Sequence, residues 1–401
     1  MNQYAPPDAA PTARLLGDLA AYLEAGGQHT VEILSDRRDY RLRPEGQGTL
    51  RRLGRELRAI LNLLRIGLRR RRGEARPAGV LAFSSPPLLL LLAWLVARRH
   101  RARLAHWAMD LYPELATALM QKGRRGLGLR LMQAAMGFAY RSAALVVALD
   151  GDMRRHLQET YGLREVKVLP PWPSQALEHA IREQVNMIGE IRHPALTGPV
   201  AMAHGTEPWR WLYSGNLGRA HEWVTLLQAQ RILEARGLPV ELVFQGGGNA
   251  RARARERAVE LGLKHCQWQD YVAESELVAN LLAARVLVVT QRPETRGLLW
   301  PSKLAVLRRL PRPILFVGPT QGAIAAELQA QGGAVGIFEP GCDDAVAEWI
   351  GSCYQADQGR SAGGSQRIVN EAVQGSGAFS AREAGCQQWA QWLRELDPCV
   401  C

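Results

Sequence analysis

A chain of 401 residues that is 47% hydrophobic exceeds one ordinary core and is too apolar to stay disordered, so two domains are expected. Its net charge of +12 asks for an acidic partner: nucleic acid, anionic lipid or a phosphorylated substrate. No apolar signal-peptide core follows Met1. The six cysteines show neither paired metal-ligand spacing nor a small disulfide framework, and read as reduced thiols of a cytoplasmic protein.

The first half begins with a Pro-rich loop, Asn2 to Thr12, and an amphipathic helix, Ala13 to Leu23, with Leu15, Leu16, Leu19 and Leu23 on one side. Thr30 to Leu34 reads as a short strand. An α/β domain would open with a strand before that first loop; either the true start lies upstream, or the sheet lacks its first strand. Residues 49–72 form the most charged segment. Leu53, Leu57, Ile60, Leu61, Leu64 and Leu68 mark one helical face, with Arg51, Arg52, Arg55, Arg58, Arg65 and Arg69 around it. Two readings stand side by side: a helix packed on its domain with a solvated basic face, or a helix lying on an anionic membrane. Nucleic acid is disfavoured, because no recognised binding motif and no aromatic interleaving accompanies the arginines.

Gly79 to Phe83 reads as a buried strand, and Ser84-Ser85-Pro86-Pro87 opens a helix from Leu88 to about Arg101. The apolar run Leu88 to Ala97 is far short of the roughly 20 residues a spanning helix needs. The strand Arg103 to Ala108 ends in Met-Asp-Leu-Tyr-Pro-Glu, residues 109–114. Groups just past a strand's carboxyl end sit where open α/β sheets bind ligands, which singles out Asp110 and Glu114. A helix cap for Asp110 and a helix N-terminal charge for Glu114 are the plainer alternatives. Strands at Ala144 to Leu149 and Val166 to Leu169 follow, with a helix from Asp152 between them. From Ser174 to about Trp209 strand character is lost.

The second half alternates strand and helix regularly, which implies a parallel, doubly wound sheet. Trp211 to Tyr213 run into Ser-Gly-Asn-Leu-Gly-Arg, residues 214–219, and a helical pattern follows. A strand, a Gly loop and a helix together aim backbone N–H groups at a phosphate. Gly215 and Gly218 permit close approach, and Arg219 adds a planar cation. After the strand Val240 to Phe244 come Gly246, Gly247 and Gly248. After Val286 to Thr290 a loop reaches Pro301-Ser302-Lys303. These three loops carry the groups a nucleoside diphosphate needs: amides and a guanidinium, glycines, and a hydroxyl with an ammonium at a helix start.

In their order and spacing the following segments resemble a GT-B glycosyltransferase of family 4, the type found in bacterial capsule, colanic-acid and O-antigen assembly. They are residues 2–8, 84–87, 109–114, Pro171-Trp172, 213–219, Phe244 to Gly248, 301–303 and Phe316 to Pro319; Phe379 to Glu383 before the last helix resembles the family's closing segment. The resemblance implies two Rossmann-like domains facing a central cleft, with a C-terminal helix crossing back to the first. The expected division is 1–173 (acceptor-binding, first strand missing), 174–208 (linker), 209–376 (nucleotide-sugar-binding) and 377–401 (crossover helix).

By the same resemblance the expected activity is retaining transfer of a sugar, hexosyltransferase-like, from a UDP- or GDP-linked donor to a lipid-linked glycan acceptor in surface polysaccharide synthesis. No cofactor and no metal are expected. The protein would sit in the cytoplasm on the inner face of the plasma membrane. Arg219 and Lys303 would face the diphosphate, and the backbone at Tyr271 and Val272 would meet the base. Gly215, Asn216, Gly218, Gly246, Gly247, Glu294 and Ser302 complete the donor set, while Asp110, Glu114, Arg219 and Lys303 form the catalytic set. The arginines of residues 49–72 would meet the membrane or the acceptor. The sequence also departs from the family pattern. Arg296 stands where relatives carry an acidic residue, with Glu294 two positions earlier; Ala305 and Val306 occupy the region of a ribose-binding glutamate; and Arg309-Leu310-Pro311 replaces a small Ala-Gly. These departures support one alternative, a non-catalytic GT-B-like subunit that partners another glycosyltransferase at the membrane. A third reading is a different nucleotide-sugar enzyme, such as an epimerase.

Overall fold

The computed structural model describes residues 1–6, 8, 10–27, 29–36, 49–69, 76–120, 126–190, 208–360 and 380–396. The chain divides into two compact units. The first comprises Met1–Ser174, Glu294–Ser302 and Ser380–Cys401; the second comprises Gln175–Pro293 and Lys303–Phe379.

In the first unit, in chain order, come α1 (Pro11–Ala25), α2 (Thr49–Leu68), β1 (Gly79–Ala82), α3 (Leu89–His100), β2 (Arg103–Trp107), α4 (Glu114–Leu119), α5 (Leu127–Ser142), β3 (Leu145–Ala148), α6 (Gly151–Tyr161) and β4 (Lys167–Val168). The four strands make a parallel sheet in the order β1-β2-β3-β4. Strand alternation sends neighbouring β2 side chains to opposite faces. Trp107 meets Phe83 edge to face at 5.4 Å, and also meets Trp172 at 5.1 Å and Trp389 at 5.3 Å. That aromatic stack seats the last helix, Ala381–Leu396, in this unit. A Cβ on its Gly385 would strike the Trp172 ring at 2.4 Å, so only a hydrogen fits there. His106, on the other side of β2, meets Tyr140 of α5.

Two expectations for this unit change. Thr30 to Leu34 forms no strand among the described residues; Asn2 N–H on Leu34 O and the nearby Asp36 N–H on Gln3 O are too few for a ladder. Met1–Gln3 also bond to the end of β1, where Phe83 N–H donates to Met1 O and Gln3 N–H to Ser85 O. The second change concerns α2. Its packed side is Ala59, Leu63 and Gly67, with Val96 of α3 closed over Gly67. Leu57, Leu61 and Leu68, on the face read either as packed on the domain or as lying on a membrane, are exposed.

The second unit holds α7 (Gln175–Glu190), β5 (Trp209–Ser214), α8 (Val224–Ala235), β6 (Val240–Gln245), α9 (Arg251–Glu260), β7 (Cys266–Gln269), α10 (Glu274–Ala283), β8 (Val286–Thr290), α11 (Leu304–Leu307), β9 (Ile314–Val317), α12 (Ala323–Gln331), β10 (Val335–Phe338) and α13 (Asp343–Arg360). Residues 175–190, expected within a linker, are thus a helix of this unit, packed on α10; residues 191–207 lie outside the described residues. All six strands are parallel, in the order β10-β9-β8-β5-β6-β7. The order reverses between β5 and β8, so the loop after β5 lies at the topological switch point, the place where doubly wound sheets bind ligands. The core beneath is Trp211, Tyr213, Leu226, Leu233, Leu242, Val286 and Val288, with Ile350 of α13. Trp211 Nε1 donates to buried Gln230 at 2.9 Å, which in turn donates to Val240 O. No helix among the described residues is long and apolar enough to cross a membrane.

Candidate active site

Buried Tyr213 closes β5 and donates its hydroxyl to Asn216 O at 2.9 Å. This bond folds the loop back over the strand end. Gly215 has φ +127, and the space a Cβ would take there is filled by Lys303, with Cε at 3.3 Å and Nζ at 3.4 Å. Lys303 Nζ stands 3.2 Å from the Tyr213 ring centroid. The nitrogen is buried and has no hydrogen-bond partner among the described residues, and burial holds its pKa well below the ordinary lysine value. A buried ammonium without a counter-charge is costly. An arriving anion supplies that counter-charge.

His221 lies beside this group. Its Nδ1 accepts the Gly218 N–H at 3.1 Å, and its ring meets Tyr213 at 5.9 Å. Burial first, and the Lys303 charge second, push its pKa down to about 3, so the ring is neutral at physiological pH. Sequence reading passed over His221; its place three residues after Gly218 was the available signal.

The Gly246–Gly248 loop differs from the expectation of an approach path for a ligand. A Cβ on Gly246 would stand 2.5 Å from Gly215 O and 2.9 Å from Tyr271 Cε1. The glycine therefore lets one loop backbone lie against the other and under the Tyr271 ring. Gly215 N–H donates to Gln245 O and Leu217 N–H to Gly247 O. With Gly218 N–H committed to His221, the loop amides left without a partner among the described residues are those of Asn216 and Arg219. Tyr271 is exposed and Val272 half-buried. Arg219 is exposed and makes no hydrogen bond or ion pair among the described residues. The structure thus brings together Gly215, Gly246, Tyr271 and Lys303, with Asn216, Gly218 and Gly247 in the same pair of loops.

Glu294 and Ser302 fall with the first unit and are exposed. The expected helix start at Lys303 is a single turn, α11. Arg296 binds Asp152 in a two-pronged ion pair, Nε to Oδ2 at 3.0 Å and Nη2 to Oδ1 at 2.9 Å. Ala305 and Val306 are buried, which leaves no room for a carboxylate reaching solvent.

In the first unit Asp110 lines a small pocket of about 10 Å³, open at its mouth, together with Ser84, His106 and Tyr140. Asp110 keeps an open surface, while the protein around its carboxyl raises the pKa to about 6. Glu114 is placed differently: it accepts from the Tyr161 hydroxyl and from Gln133 Nε2. Both bonds go to Oε1 and tie α4 to α5 and α6, while Oε2 is buried and has no hydrogen-bond partner among the described residues. Arg58, Arg65 and Arg69 are exposed on α2; the side chains of Arg51, Arg52 and Arg55 lie outside the described residues.

Residues 12–172 match the family described as Glycosyltransferase Family 4. That match falls within the first unit. Among curated proteins none matches the sequence. Among solved structures, Anabaena Alr3699/HepE in complex with UDP-glucose is similar over 98% of both chains, at 15% identity and a TM-score of 0.62. WaaG, a glycosyltransferase involved in lipopolysaccharide biosynthesis, is similar over 98% of both chains at 14% identity and 0.60. Sucrose-phosphate synthase of Thermosynechococcus elongatus is similar over 96% of this chain and 93% of its own, at 13% identity and 0.62. The chain, with its two parallel sheets, therefore has the GT-B fold.

Proposed function

We propose that this chain transfers a sugar from a nucleoside-diphosphate donor, UDP- or GDP-linked, to a lipid-linked glycan, with retention and without a metal. The observation that carries the reading is Lys303: a buried amine with no partner, set against Gly215 at the switch point of the second unit. As the sugar leaves, charge grows on the diphosphate. Lys303, Arg219 and the amides of Asn216 and Arg219 are the groups suited to hold it. Tyr271, over Gly246, offers a face for the base. That HepE is seen with UDP-glucose supports a nucleotide-sugar donor. On the acceptor side Asp110 is the carboxylate with an open surface; Glu114, whose Oε1 is bonded to Tyr161 and Gln133, keeps Oε2 as its second candidate group.

A peripheral place on the inner face of the plasma membrane is the other part of the reading. On α2 the apolar stripe Leu57, Leu61, Leu68 is exposed beside Arg58, Arg65 and Arg69. On α5, Leu127, Leu131 and Phe138 form a second exposed stripe, and Leu95 of α3 lies on the helix packed against both. Exposed apolar stripes bordered by arginines suit an anionic bilayer surface. Such a surface would bring the enzyme to a polyprenyl-linked acceptor of surface polysaccharide synthesis.

A second reading, a non-catalytic partner of another glycosyltransferase, is favoured by one observation: Arg296 is committed to Asp152, and Ala305 and Val306 are buried, so ribose carboxylates are absent there. The deciding experiment is a panel of nucleotide sugars assayed for release of nucleoside diphosphate, with and without membrane extract as acceptor. Release from one donor that is abolished by Lys303→Met supports transfer. No release from any donor, together with stable co-purification of a second transferase, supports the partner reading.

A further inference from the structure

Among the described residues β7 is an edge strand: it pairs with β6 alone, and the pairing ends at Gln245 and Gln269. The chain that carries Tyr271 leaves from that open edge, where a backbone has a neighbour on one side only. Two groups hold it there. Gly246 N–H donates to Gln269 O at 3.0 Å. Arg251, the first residue of α9, donates from Nη2 to the same carbonyl at 3.2 Å and from Nη1 to Asp270 Oδ1 at 2.9 Å. Both lone pairs of Gln269 O are thereby used. Arg251 N–H in turn donates to Gly248 O, so one residue joins the glycine loop to the end of β7.

Helix stability does not explain this arginine. A cation in the first turn opposes the helix dipole, and α9 carries no acidic residue there to offset it. Its ion pair adds little, because the Asp270 side chain is 89% exposed. What the guanidinium fork does is fix two consecutive residues, 269 and 270, directly before Tyr271. The Tyr271 ring is exposed and lies against Gly246, with Cε1 2.9 Å from where a Cβ would stand.

We propose that Arg251 is a positioning residue for the nucleobase, holding residues 269 and 270 so that Tyr271 stays over Gly246 and a nucleoside diphosphate is favoured over bare diphosphate. The proposal rests on the donor reading above. Arg251 acts through Tyr271 and not on the diphosphate. Without the fork, binding of the base must also order this edge of the sheet, and that ordering is taken from the affinity. A bare diphosphate at Lys303 carries no such cost.

The test is calorimetry on the full chain with pyrophosphate, UDP and GDP. Arg251→Met keeps the stem and loses the fork. It should weaken the preferred nucleotide about tenfold, the loss of one hydrogen bond, and leave pyrophosphate affinity unchanged. Arg251→Lys, with a point charge in place of the fork, should recover part of the loss. In a Tyr271→Ala background Arg251→Met should have no further effect, because it acts through that ring. Equal weakening of nucleotide and pyrophosphate overturns the inference, as does a full tenfold loss in the Tyr271→Ala background. Hydrogen exchange reads the brace without any ligand: Arg251→Met should speed exchange over residues 269–272 and leave 213–219 as in the wild type. Unchanged exchange over 269–272 also overturns it. Faster exchange there, in a protein whose wild type binds neither pyrophosphate nor nucleotide, keeps the brace and removes the donor reading. Wild-type binding of pyrophosphate and nucleotide with equal affinity keeps the Lys303 site and removes the nucleobase role.

Discussion

Lys303 Nζ lies 3.2 Å from the centroid of the Tyr213 ring, and the same side chain fills the space that a Cβ on Gly215 would occupy. The end of β5 and the residue before α11 thus share one spot. Gly215→Ala should weaken UDP or GDP binding at least about tenfold, because the new methyl displaces the lysine and strains a backbone at φ +127. Calorimetry on the variant checks it. Unchanged affinity would show that the lysine's place is irrelevant to the ligand.

Lys303→Met separates function from stability. The variant loses the cation but keeps the volume, and it removes a buried amine that lacks a partner. Turnover should fall by a factor of about 10² or more, while the melting temperature holds or rises. Thermal melts alongside the turnover assay distinguish this from simple unfolding.

Donor binding should take up a proton. Burial holds the Lys303 pKa well below the ordinary lysine value, and a diphosphate beside it raises that pKa. Above the lowered value the free protein holds a neutral amine, so binding protonates it, and affinity declines as pH rises. Calorimetry in buffers of different ionisation enthalpy should show heats that differ with the buffer; identical heats would contradict it.

On the acid side His106 sets a different slope. Its pKa falls from 6.5 unfolded to about 4 folded, chiefly through burial. The unfolded chain binds the proton first, so stability is full above pH 6.5 and is lost as pH falls from there to about 4. His106→Gln should flatten that window in melts followed against pH.

Vesicle flotation should show binding to anionic but not neutral lipid, weakened by salt. Replacing Arg58, Arg65 and Arg69 by serine should cost about 1 kcal/mol each. Leu61→Asp and Leu131→Asp should each reduce binding without changing the circular dichroism spectrum. Binding that survives all of these would remove α2 and α5 from the account.

The alternation of strands and helices in the second half was legible, because buried runs such as Val286–Thr290 are bounded by turn residues. The Gly215 loop and Lys303 were also readable. Other features needed three dimensions. Glu114 reads like Asp110 from its position after β2, yet Tyr161, 47 residues away, holds its Oε1. Leucine spacing on α2 identified an apolar stripe without telling which side the protein covers; small Ala59 and Gly67 pack closer to α3 than the leucines do. Gly246 looked like space for a ligand, and instead a neighbouring carbonyl and the Tyr271 ring occupy its surroundings.

Titration of the wild-type chain and of Lys303→Met with UDP and GDP in a calorimeter is the most direct check on the donor site. The account predicts saturable binding of one nucleotide to the wild-type chain, lost or much weakened in the variant. Equal binding by both proteins, or none by the wild type, would contradict it.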